Sequence, residues 1–194
     1  MLMSFDQLPD QSTFEGQLGG PLQFHGLISP ALSPPPSPIH SSWAYRRRSE
    51  GFDQRVEASN SVDLVCYGPD ALVLEALLRL HAVQAFSDRE VTATAEQLLL
   101  VMQEIDPHIN LSSPELLASL SRLMGTVYHV TQPKPYFWSF GFRLITTLDV
   151  LSQSDTRDGP ETLREITVEL SEVTLVLHAS GMLRSSLWKA QHQG

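Results

Sequence analysis

The order of elements between Gly68 and Leu187 constrains the fold of this 194-residue chain more than any other feature. The spacing of apolar residues predicts a helix, a short strand and two further helices, followed by β strands and a last helix. Two helices that are followed by two strands with a loop between them outline a winged helix. Domains of this outline usually bind nucleic acid or pair with other proteins, so the order favours binding over chemistry.

The first two predicted helices combine a start signal with an apolar stripe. Over residues 69–84 the apolar side chains recur at i, i+3, i+4 and i+7, and Asp70 complements the helix dipole in the first turn. Thr94 and Gln97 have the spacing of a capping box, which predicts that a second helix begins after Thr94. This helix is predicted to stop at the Asp106-Pro107 pair, because the residue before proline avoids the helical region.

The third predicted helix begins at Ser113-Pro114-Glu115, where a cap, a proline and an acid stand in the favoured order. Leucines at positions 116, 120 and 123 predict its buried stripe, and Gly125 is predicted to be the left-handed residue that follows its end. We expect the opposite face of this helix to point to solvent. That face carries Glu115, Ala118, Ser119 and Arg122.

Alternating residues predict strands at 126–130, 138–144 and 166–170, with a turn over 132–135 and a polar loop over 152–160. A closing helix is predicted to begin at Ser171 and to continue through His178. The predicted fold is therefore α+β, a winged-helix-like domain of three helices, a small antiparallel sheet and a closing helix. We place this domain at residues 61–190.

Residues 1–60 are predicted to be a disordered tail rich in proline, serine and glycine. Five prolines lie within the stretch SPALSPPPSP, and Pro35 and Pro38 form a PxxP pattern that can dock into aromatic grooves, although we favour a plain spacer. The run of Arg46, Arg47 and Arg48 could attract phosphates, but three arginines more often form a solvated charge cluster.

The charge balance argues against tight DNA binding by this chain alone. The formal net charge is −9, and residues 61–194 carry nine basic and sixteen acidic side chains, a net −7. Proteins that bind duplex DNA usually show a basic face, because phosphate contacts dominate their affinity. The chain has no apolar run near the ~20 residues of a membrane helix and no signal peptide, so we expect a cytoplasmic protein without a membrane partner.

No pattern of catalytic or metal-binding residues stands out. The single cysteine, Cys66, excludes an internal disulfide and a cysteine-rich zinc site, and we expect it to be a small buried apolar residue. None of the seven histidines has the spacing of a metal site, and no nucleophile elbow or phosphate loop is present. We therefore expect no enzyme activity, no cofactor and no metal.

The third helix occupies the place of a recognition helix, which presents polar side chains to the major groove. Ser119 is a candidate for contact with a base or a phosphate, and Arg122 for a phosphate or guanine. Lys134 in the predicted turn and Arg143 on the aromatic strand are secondary candidates. A solvated helix face is an equal alternative for Ser119 and Arg122, and Arg143 could instead pair with a neighbouring acid.

The order of these motifs resembles the first winged-helix domain of bacterial plasmid replication initiators. The resemblance covers about residues 61–188 and depends on spacing and apolar pattern. The segments that carry it are GPDALVLEALLRLHAV, VTATAEQLLLVM, SSPELLASLSRLMGTVYHV, FRLITTLDVL and REITVELSEVTLVLHASG.

The resemblance implies plasmid replication initiation or its control, with double-stranded DNA at origin repeats, replication proteins and a second copy of the chain as partners. Initiators of this family usually carry two winged helices, of which the first mediates dimerisation and backbone contact and the second reads the repeats. This chain shows one. The alternative is therefore a winged-helix module for dimerisation or regulation that has no DNA specificity of its own.

Overall fold

A computed structural model of the chain describes residues 41–49, 52–66, 69–84, 89–134, 137–153 and 162–179. These residues contain seven strands and four helices. The strands are β1 (Ser42–Ser49), β2 (Phe52–Ser59), β3 (Glu90–Thr94), β4 (Val127–Lys134), β5 (Trp138–Arg143), β6 (Ile145–Gln153) and β7 (Thr162–Leu170). The helices are α1 (Pro69–Gln84), α2 (Ala95–Ile105), α3 (Ser113–Gly125) and α4 (Glu172–Ala179).

Three helices and a three-stranded sheet form the winged-helix part of the fold. The sheet has the order β3-β7-β6 and both of its strand pairs are antiparallel. Helices α1, α2 and α3 contribute fully buried leucines to the same core as the inner residues of β7. The predicted α+β class is therefore confirmed. The fully buried leucines of these helices are Leu72, Leu77, Leu78, Leu98, Leu116, Leu120 and Leu123.

A second antiparallel sheet, of four strands in the order β1-β2-β4-β5, was not predicted. The prediction of a disordered tail is wrong for residues 42–49 and 52–59, which form two strands of this sheet. Strand β2 pairs with β4 so that Ala58 lies opposite Tyr128, and both side chains are buried. Because these partners are 70 positions apart, local sequence patterns do not reveal the pairing. Residues 1–40 of the predicted tail lie outside the described residues.

The boundaries of the strands after α3 also differ from the prediction. Strand β4 continues to Lys134, so the residues at 132–134 belong to a strand rather than to a turn. Strand β5 pairs with β4 in the four-stranded sheet, whereas β6 and β7 supply the wing. The polar loop predicted over 152–160 begins later, because β6 extends to Gln153, and the rest of that loop lies outside the described residues.

Hydrogen bonds confirm the predicted start of α2, whereas the N-cap of α3 is Ser112, one residue before the predicted cap at Ser113. At α2, Thr94 Oγ1 accepts a hydrogen bond from the Gln97 N–H at 3.1 Å, and Gln97 Oε1 accepts one from the Thr94 N–H at 2.9 Å. At α3, the Glu115 carboxylate accepts from the N–H and the hydroxyl of Ser112, at 2.8 and 2.6 Å. These caps satisfy backbone donors that a helix N-terminus leaves without partners.

Gly125 is the last residue of α3, and the prediction that it follows the helix in a left-handed conformation is wrong. A Cβ atom at this position would lie 2.8 Å from Asn60 Nδ2. The Asn60 side chain cannot move away easily, because it donates to the Leu64 carbonyl and accepts from the Val62 and Asp63 N–H groups. The close approach of Asn60, rather than backbone conformation, explains the glycine.

Leu144 joins the two sheets, because β5 ends at the residue before it and β6 begins at the residue after it. Its side chain is fully buried. Its carbonyl oxygen accepts hydrogen bonds from the Ser171 N–H at 3.0 Å and from Thr174 Oγ1 at 2.9 Å. The start of α4 is therefore held against the link between the sheets.

Candidate nucleic-acid interface

The two predicted contact residues of α3 form a buried cluster with Asp70 of α1. Ser119 Oγ donates to Asp70 Oδ1 at 2.6 Å. The Arg122 guanidinium reaches both carboxylate oxygens of Asp70, with Nε at 2.8 Å from Oδ2 and Nη2 at 2.7 Å from Oδ1. This bidentate arrangement is the strong geometry for an arginine and a carboxylate.

Burial makes this cluster a link between helices rather than a surface. Asp70 has no exposed area and Arg122 is 7% exposed. The prediction that Ser119 and Arg122 lie on the solvent-facing side of α3 is therefore wrong. The sequence contained a signal that Ser119 is buried, because Leu116, Ser119 and Leu123 share the i, i+3, i+7 spacing of one helix face.

The exposed side of α3 carries no basic side chain. Its solvent-facing residues are Pro114, Glu115 and Leu117, and Ser121 is half-buried. Hydrogen bonds from the Ser112 hydroxyl, and then from the Ser112 backbone, lower the pKa of Glu115, so this carboxylate is charged near neutral pH. A negative charge in the first turn repels phosphate, and α3 offers no cation that would compensate for it.

The other two predicted residues lie on the four-stranded sheet, away from the helix with which the prediction grouped them. Lys134 is the last residue of β4 and lies opposite Asp53 of β2. Arg143 is the last residue of β5, lies opposite Val127 and is exposed. No ion pair joins Arg143 to another described residue, so the alternative that it pairs with a neighbouring acid gains no support from the described part of the chain.

A row of polar side chains crosses the exposed face of this sheet. Ser139 Oγ lies 3.0 Å from His129 Nε2 and 3.2 Å from Thr131 Oγ1. Arg55 Nη2 donates to Glu57 Oε1, and Glu57 Oε2 lies 3.9 Å from His129 Nδ1. Local sequence patterns do not reveal this row, because its members come from β2, β4 and β5, which only the fold brings together.

The serine, histidine and glutamate of this row do not have the geometry of a catalytic triad. The distance of 3.9 Å between His129 and Glu57 exceeds a hydrogen bond, whereas a triad carboxylate must bond the imidazole to orient it. The three side chains stand on the exposed face of a sheet, where His129 keeps 48% of its side chain in solvent. The row is therefore an exposed polar surface of hydroxyl, imidazole, guanidinium and carboxylate groups.

Cys66 is a buried residue, as the sequence predicted. It is 1% exposed, and its thiol donates to Thr126 Oγ1 at 3.2 Å. Burial, followed by the nearby charge of Asp70, raises the pKa of the Cys66 thiol to about 12. The thiolate that would act as a nucleophile is therefore scarce at neutral pH.

A groove of about 540 Å³ separates α2 from the start of β7. Leu99 and Leu100 of α2 supply its apolar wall, and Glu96 and Arg164 stand among its polar groups. Within the described ranges, no group of three or more side chains is placed to hold a metal ion. No helix in the described part of the chain is long and apolar enough to cross a membrane.

Of three comparisons with known proteins, only the comparison with solved structures gives a match. No family model matches the sequence, and no curated protein matches it. A crystal structure of a selenomethionine derivative of RctB domains 2 and 3 matches with a TM-score of 0.61 and 15% identity, over 86% of this chain and 66% of that one. A second crystal structure of RctB domains 2-3 matches with a TM-score of 0.57 and 18% identity, over 82% and 59%.

The fold resembles that of RctB domains 2 and 3. At 15% and 18% identity the match describes the arrangement of the chain and not its activity. This chain spans about two thirds or less of the RctB structures.

Proposed function

We propose that this protein is a non-enzymatic, DNA-associated protein that acts in the initiation of DNA replication or in its control, as replication initiators do. One observation carries the proposal: a structure of domains 2 and 3 of RctB, a replication initiator, matches over 86% of this chain with a TM-score of 0.61. The winged-helix order of α1 to α3 with β6 and β7 agrees with it. Action on a plasmid, a cytoplasmic location and binding to other replication proteins are parts of the same proposal.

The mode of DNA association that the side chains support is contact with the phosphate backbone. Helix α3 has no exposed basic side chain that could read a guanine edge, since Arg122 is held by Asp70. Contacts with phosphates position a protein on the duplex without reading its sequence. We therefore propose weak, sequence-independent binding by one copy of the chain, and specificity only through a partner or a second copy.

A shift assay with two duplexes tests the proposal. The full chain is titrated against a random duplex and a repeat-containing duplex of about 30 base pairs, at about 50 mM and about 200 mM salt. We expect both duplexes to bind at the lower salt with similar affinity. The association constant should fall with salt at a log–log slope of about −0.9 for each phosphate contacted. If the chain binds neither duplex at the lower salt, the proposed function is wrong.

The second candidate function is a protein-interaction module, which exposed apolar side chains favour. Leu151 of β6 is 61% exposed and Leu100 of α2 is 53% exposed. Strand β6 pairs with β7 on one side, and no described strand covers its other side. An uncovered strand edge can pair with a strand of another chain.

Light scattering after size-exclusion chromatography separates the two functions. A stable homodimer whose mass does not change when duplex DNA is added supports the interaction module. A strict monomer with and without DNA contradicts the interaction module, and a mass that increases only with DNA supports the DNA-associated function.

A further inference from the structure

We infer that the DNA-contacting surface of this protein is the exposed face of the four-stranded sheet, which binds duplex phosphates without reading base sequence. This inference rests on the proposed function and names the surface through which that function would act. We call this surface the outer sheet face. The residues that define its position are Arg55, Glu57, His129, Thr131, Ser139 and Arg143.

The fold separates basic residues from acidic ones, and the strands of the four-stranded sheet carry a net positive charge. Its strands contain six basic and two acidic residues, a net +4 in a chain whose formal net charge is −9. The basic residues are Arg46, Arg47, Arg48, Arg55, Lys134 and Arg143, and the acidic residues are Asp53 and Glu57.

The other described elements are acidic. The three-stranded sheet contains one basic and four acidic residues, a net −3. Helices α1 to α4 contain two arginines and six acidic residues, a net −4, and one of those arginines is the buried Arg122. A phosphate backbone is therefore repelled by most of the described surface and attracted by one sheet.

The strand register places most of the basic positions on the outer sheet face, whereas the position of Arg47 alternates to the other face. Arg46 lies opposite Arg55, which lies opposite Thr131, which lies opposite Ser139, so that one row crosses all four strands. Directly paired residues share a face of a sheet, and residues two apart on a strand share it as well. The position of Arg48 therefore belongs to the same face as that of Arg46.

The inner face of the sheet is apolar, which leaves the outer sheet face as the free one. Tyr128 and Val130 are fully buried, and the Phe142 ring stacks on the Tyr128 ring at a centroid distance of 5.5 Å. On the other face, His129, Ser139 and Arg143 are exposed. Hydroxyl, imidazole and guanidinium groups are donors of the kind that bind phosphate oxygens.

Glu57 limits the attraction of this face for phosphate. It pairs with Arg55 and lies 3.9 Å from His129, so it places a negative charge among the donors. Its neutralisation should leave Arg55 free to meet a phosphate. If DNA binds at the outer sheet face, neutralising Glu57 should strengthen the binding. Binding at a surface elsewhere on the molecule does not lead to this expectation.

Fluorescence anisotropy with a labelled random duplex of about 30 base pairs tests this inference on the full chain. Arg143→Ala should weaken binding about threefold at low salt and reduce the salt slope by about one, as expected for one lost phosphate contact. Glu57→Gln should strengthen binding roughly two- to fivefold, the range of one screened surface charge. Arg79→Ala is the matched control, because Arg79 is an exposed arginine of α1 that pairs with Glu75 at 3.2 Å.

The outcomes separate this inference from the proposed function. If the wild-type chain binds but Arg143→Ala behaves like Arg79→Ala and Glu57→Gln brings no gain, the inference is wrong while the proposed function stands. If the wild-type chain does not bind, both are wrong. If circular dichroism shows that Arg143→Ala does not fold, Glu57→Gln alone tests the inference. Tighter DNA binding by Glu57→Gln supports the inference, and unchanged binding contradicts it.

Discussion

Arg122 connects α3 to α1 through a carboxylate that has no exposed area. Removing two charges from water costs several kcal/mol for each ion, and the bidentate contact with Asp70 offsets that cost only while both partners remain. The Ser119 hydroxyl donates a further hydrogen bond to the same carboxylate. The cluster therefore fixes which face of α3 meets α1.

Substitution of Arg122 should destabilise the protein strongly. Arg122→Ala leaves Asp70 buried without its counter-charge, and we expect the free energy of unfolding to fall by about 3–5 kcal/mol. Urea denaturation monitored by circular dichroism measures this loss. The exposed pair of Arg79 and Glu75 provides the comparison, since Arg79→Ala should cost about 0.5 kcal/mol or less. Equal losses in the two variants would contradict a structural role for the buried pair.

The sequence did not predict this role because a side chain's exposure depends on its partner. Asp70 and Arg122 are 52 positions apart. Each has a plausible local explanation, since an acid suits the first turn of a helix and an arginine suits the last. Only the packing of α1 on α3 brings the charges together. Among the four predicted contact residues, Lys134 and Arg143 remain candidates because they lie on the basic sheet.

At the scale of the elements, the N-terminus of α3 depends on the charged form of Glu115. Its carboxylate accepts two hydrogen bonds from Ser112, one from the hydroxyl and one from the backbone N–H. These bonds lower the pKa of Glu115 in the folded chain relative to the unfolded chain. The stability that they contribute is therefore present above the unfolded pKa and is lost as the pH falls through the lower folded pKa.

The contribution of Glu115 should disappear in acid. At pH 7 Glu115→Gln should have a lower urea midpoint than the wild-type chain. The difference should shrink progressively as the pH falls below the pKa of an unfolded glutamate, because the Glu115 carboxylate is then increasingly protonated. Glu96→Gln is a suitable control, because Glu96 is exposed in the first turn of α2 and the cap of that helix uses Gln97 instead. A difference that does not change with pH would count against this account.

The helices could be predicted because their signals are local. A cap and an apolar stripe lie within four residues of one another, and Thr94 with Gln97 shows both the pattern and the bonds. Strands β1 and β2 carry no such signal. The sequence YRRRS in β1 reads as a solvated charge cluster until β2 and β4 are known to lie beside it.

At the scale of the whole molecule, the hairpin of β1 and β2 extends the sheet formed by β4 and β5. Six cross-strand pairs join β2 to β4, and the chain after β2 brings Asn60 against Gly125 of α3. Part of the region predicted to be a disordered tail therefore contributes directly to the fold. The net charge of the whole chain also does not show that six basic residues lie on the strands of one sheet.

Truncation should distinguish the hairpin from the residues before it. A chain that begins at residue 61 loses the six pairs with β4, each worth about 0.2–1 kcal/mol, so its melting temperature should fall by more than about 2 °C. A chain that begins at residue 41 keeps these pairs and should melt within about 2 °C of the full chain. Differential scanning calorimetry measures both. If the two truncations melt together, the hairpin does not support the sheet.

Leu144 has a consequence for how a signal could pass through this molecule. Strands β5 and β6 meet at this one residue, and its carbonyl is held by two donors from the start of α4. Because the two sheets are connected here by one residue, we expect a rotation of one sheet to be transmitted to β6, β7 and α4. We therefore expect a displacement of the first sheet to move the second sheet and α4 with it.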